Sequence, residues 1–159
     1  MKLHGKKLSG PEIEILVIPR KSGNIVFKAQ AVLDYTAFEA ICPPPLPPET
    51  LRPGAGRGLR TKNIEAPEFL KALDEWAEKR TYWMILKSLE ATPELEWETV
   101  KMDQPDTWKH YEKELREGGM STLEITRILN LVTGVCGLDQ RKIDEATERF
   151  LADQAAVQK

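Results

Sequence analysis

The chain has 159 residues, 41% hydrophobic and 30% charged, which suits one domain, or one domain plus a small appendage, with a moderate core, and is globular in composition, neither disordered nor membrane-bound. No stretch approaches the ~18 apolar residues of a membrane span, and Met1-Lys2-Leu3-His4-Gly5 lacks a signal-peptide apolar region, so a cytoplasmic product is expected. Residues 1–62 carry 10 Lys/Arg against 5 Asp/Glu and residues 63–159 carry 13 against 20, an asymmetry that disfavours nucleic acid and favours a protein partner or self-association.

Glu12-Ile13-Glu14-Ile15-Leu16-Val17-Ile18 begins with apolar and polar residues alternating and ends as a continuous apolar run. That pattern predicts a strand whose distal half is covered on both faces. Pro19 to Asn24 supplies a turn and Ile25 to Val32 the returning strand of an antiparallel hairpin. A lone hairpin is marginal in water and needs cover. Asp34 to Ile41 is the expected cover, a helix with Asp34 as N-cap and Phe38 and Ile41 on one side. It must stop before Pro43-Pro44-Pro45, because a residue preceding proline avoids the α region.

From 43 to 62 the composition changes. Pro43, Pro44, Pro45, Pro47, Pro48 and Pro53 predict an extended segment, and Gly54-Ala55-Gly56-Arg57-Gly58 a flexible one, together a linker or exposed arm. It reads as a solvated spacer, as a ligand for a proline-binding groove, or as basic contacts through Arg52, Arg57, Arg60 and Lys62. No Lys-Ser/Thr follows the glycines at the spacing of a nucleotide-binding loop.

Pro67 opens the longest helical pattern, which runs to about Leu89. Leu70, Leu73, Trp76, Ala77, Arg80 and Trp83 line one side, and Tyr82, Ile85, Leu86 and Leu89 a second, so its later half is expected to be central. Trp76 and Trp83 are either core or an aromatic platform. Leu95 to Val100 predicts a short strand or extended loop with Glu94, Glu96 and Glu98 solvated. A further helix carries Trp108, Tyr111 and Leu115 and ends at Gly118-Gly119.

The last third has the fullest signals. Ser121-Thr122-Leu123-Glu124 is a capping box, and Ile125, Ile128, Leu129 and Val132 follow at i, i+3, i+4 and i+7. Gly134 and Gly137 bracket a C-terminal cap, and Asp139 is placed as N-cap of a second helix bearing Ile143, Ala146, Thr147, Phe150 and Leu151. A helical hairpin this short must bury its stripes on the rest of the domain or on another molecule. Ile125, Ile128, Leu129, Val132, Phe150 and Leu151 are accordingly both candidate core and the candidate partner-binding surface.

Chemistry is sparse. His4 and His110 are the only histidines, and with Cys42 and Cys136, expected as two buried thiols, they fall short of a zinc ligand set. There is no nucleophile elbow, no H-E-x-x-H and no dinucleotide fingerprint. No carboxylate sits inside an apolar stripe where burial would raise its pKa for acid catalysis. No catalytic residue, cofactor or metal site is therefore assigned, and a non-catalytic protein is expected.

The strand Ile25 to Val32, the Phe38 helix ending in Cys42-Pro43, the Trp-bearing central helix, and the ending from Ile125-Thr126-Arg127-Ile128-Leu129-Asn130 through Gly137-Leu138-Asp139 to Phe150-Leu151 resemble small structural proteins of tailed bacteriophages. In particular they are similar to the tail assembly chaperones. The resemblance implies a mostly helical, non-catalytic protein of the host cytoplasm that binds the tape-measure protein through apolar helix surfaces. The 43–62 segment is not matched by that family. A permanent particle component, such as a connector or decoration protein, and an adaptor for a host factor or nucleic acid are the alternatives. The expected architecture is α+β and predominantly helical, with a hairpin and short helix at 1–42, a Pro/Gly-rich arm at 43–62 and a compact helical region at 63–159 ending in a helical hairpin.

Overall fold

The computed structural model describes residues 2–7, 10–51, 60–137 and 140–157. They form an α+β fold in which helix predominates. Its strands make three separate antiparallel hairpins: β1 (Lys2–Leu3) with β2 (Lys6–Lys7), β3 (Ile13–Ile18) with β4 (Ile25–Gln30), and β5 (Glu49–Leu51) with β6 (Arg60–Lys62). The helices are α1 (Thr36–Ile41), α2 (Pro67–Leu89), α3 (Tyr111–Glu117), α4 (Thr122–Val135) and α5 (Gln140–Val157), with a 3₁₀ turn at Pro105–His110 leading into α3.

In the central hairpin Ile13 pairs with Gln30 and Ile18 with Ile25, and the Ala31 N–H extends the ladder to the Glu12 carbonyl at 2.9 Å. Alternation puts Leu16, Ile18, Ile25, Phe27 and Ala29 on one face. That face is covered by α4, which crosses both strands, while α2 packs on β4. The expected cover was α1, but its six residues span under two turns. It delivers Phe38 to the core and leaves Ile41 exposed. The prediction that the distal half of β3 is covered on both faces is also overturned: Val17 and Val26, directly opposite each other, are both exposed. The helices that pack on this hairpin cover its other face, so the continuous apolar run reflects one buried and one open face.

Phe38 is the hub of the core. Its ring lies 5.4 Å from Trp76, 5.9 Å from Trp83 and 6.1 Å from Trp108, all tilted, an arrangement aromatic quadrupoles favour. Two of the three indole N–H groups find backbone carbonyls, Trp76 donating to Cys42 at 2.9 Å and Trp108 to Lys101 at 3.0 Å. Trp76 and Trp83 thus belong to the core, with the Arg80 guanidinium 4.2 Å above the Tyr35 ring at its margin. The second half of α2 is central as its two apolar sides require, with Trp83, Met84, Ile85, Leu86 and Leu89 buried.

Two local expectations are corrected, and a third, strand or loop, is decided. Asp34 is not the N-cap of α1. Tyr35 occupies that place, and the Asp34 carboxylate accepts the Thr36 N–H at 3.0 Å from one residue further back. The 43–62 arm is not simply extended, because Glu49–Leu51 and Arg60–Lys62 pair, Glu49 opposite Lys62, and Asn63 N–H continues the pairing to the Pro48 carbonyl at 2.8 Å. Leu95 to Val100 is a loop, since its amides are taken by a carboxylate instead of a strand. Glu114 accepts the N–H groups of Glu98, Thr99 and Val100 at 2.8, 2.7 and 2.9 Å, and the Thr99 hydroxyl as well.

Candidate functional site

The site is built on the last two helices. Ser121 and Glu124 form the capping box of α4: the Glu124 N–H donates to the Ser121 hydroxyl at 3.3 Å and the Ser121 N–H to the Glu124 carboxylate at 2.8 Å. The same carboxylate takes both terminal nitrogens of Arg20, from the turn between β3 and β4, one of them at 2.9 Å. The bidentate Arg20 pair, with Ser121 second, holds the Glu124 carboxyl down to about 2. Glu124 therefore fixes the start of α4 and clamps the helix to the hairpin.

With α4 so placed, Ile125, Ile128 and Val132 are buried against β3 and β4, and Leu129 is half-buried at the edge of the same core. Of the two readings, core and partner surface, the structure shows core for Ile125, Ile128 and Val132: they cover the hairpin that α1 leaves open. Cys136 caps α4, and Gly137 adopts a left-handed φ of 70°, a conformation only glycine takes without strain. The N-cap assignment of Asp139 lies outside the described residues.

Phe150 and Leu151 are in a different situation. Every α5 side chain that is described is exposed, including Ile143 at 45%, Phe150 at 60% and Leu151 at 59%. Among the described residues α5 has no extensive packing with any other element. Its polar side is laced within itself, with Arg141 3.6 Å from Glu145 and Gln140 donating to Asp144 at 2.8 Å. The apolar stripe of Ile143, Phe150 and Leu151 faces solvent. The structure thus divides the six predicted residues, α4 turned inward and α5 outward.

Of the basic contacts, Arg60 and Lys62 lie on β6, with Arg60 3.9 Å from Glu49, and both are exposed. Arg52 and Arg57 lie outside the described residues. Cys42 and Cys136 are half-buried free thiols, and burial pushes the Cys42 thiol up, away from the thiolate. Among the described residues no group of three His, Cys, Asp or Glu side chains is placed to hold a metal ion. Two clefts measure about 500 Å³ each. One is lined by Phe27, Leu95, Trp97 and Met120 together with Glu96 and Glu117.

A second apolar surface escaped the sequence reading. Ile13, Ile15 and Val17 project from the open face of β3 with 53, 58 and 49% of their surface exposed. The alternation of Glu12 to Ile15 carried the signal, but the run Leu16 to Ile18 masked it.

No protein-family model, curated protein or solved structure matches the chain.

Proposed function

We propose that this protein is a non-catalytic assembly chaperone of the bacteriophage-tail type, which holds a helical tail protein of the tape-measure class against the apolar stripe of α5. The observation that carries the reading is the exposure of Ile143, Phe150 and Leu151 on an amphipathic helix that the other described residues leave uncovered. A helix of this length is marginal alone in water, and burying each large apolar side chain stabilises by about 1.5–3 kcal/mol. A partner helix laying its own stripe along this one supplies that burial. The two helices then share one apolar seam.

The test uses the full chain as bait in cells assembling particles, alongside mass spectrometry of the purified particles. The expected result is co-purification with a long helical tail protein, loss of that capture in the double variant Phe150→Ser, Leu151→Ser, and absence from finished particles. Stoichiometric presence in the particle would overturn the chaperone reading and make the protein a structural component.

A further inference from the structure

The central hairpin has two outer edges, and they are treated differently. The Ala31 N–H bonded to Glu12 makes the even residues of β3 the ones that exchange hydrogen bonds with β4. The backbone groups of Ile13, Ile15 and Val17 therefore point away from β4, along the outer edge of β3. On the far side Lys28, opposite Ile15, points outward in the same way. There the Thr92 hydroxyl closes the edge, accepting the Lys28 N–H at 2.9 Å and donating to the Lys28 carbonyl at 2.8 Å. The β3 edge has no such closure: no strand pairs with it among the described residues. It also bears the three exposed β-branched residues described above, where natural edges usually carry charge or a bulge.

Two prolines define what fits this edge. Pro11 and Pro19 stand four residues before and four after Ile15, just outside β3 at either end, and neither has an N–H to offer. They confine strand pairing to the run between them and make it symmetric about Ile15. A second β3 laid antiparallel about a two-fold axis at Ile15 sets Ile13 against Val17 of the other copy and Ile15 against its own counterpart. Each outward N–H and C=O then meets its complement; on the open face the facing side chains are aliphatic, and on the other Glu14 stands opposite Leu16. Charge selects the same direction. Glu12 stands at one end of the strand and Lys21 follows the other, so antiparallel pairing brings acid towards base, whereas parallel pairing sets like beside like.

We propose that the chain self-associates through the β3 edge, forming a two-fold, four-stranded antiparallel sheet centred on Ile15. The surface is distinct from the α5 stripe, and the dimer stands or falls independently of the chaperone reading.

The experiment is sedimentation equilibrium of the full chain over a concentration series, paired with disulfide trapping in a Cys42→Ser, Cys136→Ser background. The wild type is expected to shift from an 18.0 kDa monomer to a dimer with concentration. Ile15→Lys, which sets like charges on the axis, should weaken association about ten-fold or more. In a hydrogen-bonded antiparallel pair the Cα atoms are about 5.5 Å apart, within disulfide range, so Ile15→Cys should oxidise to a covalent dimer. Val17→Cys should not, because its own counterpart lies about four residues away along the strand. The trapping result holds even if Ile15→Lys perturbs folding. A monomer at every concentration with no Ile15→Cys cross-link would overturn the proposal, including the case in which the monomer captures an extended apolar peptide instead. So would cross-linking at Val17→Cys equal to that at Ile15→Cys.

Discussion

Glu124 serves three donors: the Ser121 N–H and the two arms of Arg20. With its carboxyl held at about 2, against about 4.3 for an unperturbed glutamate, it stabilises the fold fully above the unfolded value. That contribution is lost as pH falls through about 2. Thermal melts are therefore expected to show a Tm decline between about pH 5 and pH 2 that is shallower in Glu124→Gln. Equal slopes in the two proteins would show that the carboxylate does not couple to folding. A residual slope remains with Glu114, where burial pushes the pKa up but the Thr99 hydroxyl and the amides of Glu98, Thr99 and Val100 together bring it below the usual range. The capping box was legible in the sequence because Ser121 and Glu124 are three residues apart and need only a helix to meet. Arg20 was not, since nothing local ties it to a carboxylate 104 positions on. Glu114 was hidden in the same way.

The elements themselves were well marked wherever one period ran without interruption. The β3–β4 hairpin, α2 and α4 fall where alternation and the 3.6-residue repeat placed them. Which face each element covers was less accessible, because an apolar stripe states that it wants burial and not against what. Hence α4 was legible as amphipathic, yet its stripe was as readily a partner surface as the cover of the hairpin. For α5 the same pattern led to the opposite outcome, an exposed stripe. Thr92 shows how a single side chain can stand in for a missing strand. Thr92→Val keeps the shape but leaves the Lys28 N–H and C=O without their partner, and should cost about 1–3 kcal/mol in urea denaturation. A change within error of zero would mean that water replaces the hydroxyl at no cost and that this edge, too, is open.

At the scale of the whole molecule, the central hairpin, Phe38, the second half of α2, the Trp108 segment, α3 and α4 contribute to one continuous core, while α5 stands outside it. Urea unfolding is expected to reflect that division. Tryptophan fluorescence should report one cooperative transition of the core, and far-ultraviolet circular dichroism should show an earlier loss of helix from α5. Coincident curves would place α5 on the body of the protein. The clamp from Arg20 to Glu124 also orders events in time. A ribosome adding about 5–20 residues per second delivers Glu124 roughly 5–20 s after Arg20. Until α4 is made, the nascent hairpin lacks the helix that crosses both its strands over Leu16, Ile18 and Phe27, and Ile13, Ile15 and Val17 lie open on its other side. During synthesis the chain thus shows the kind of apolar surface that chaperones at the exit tunnel shield.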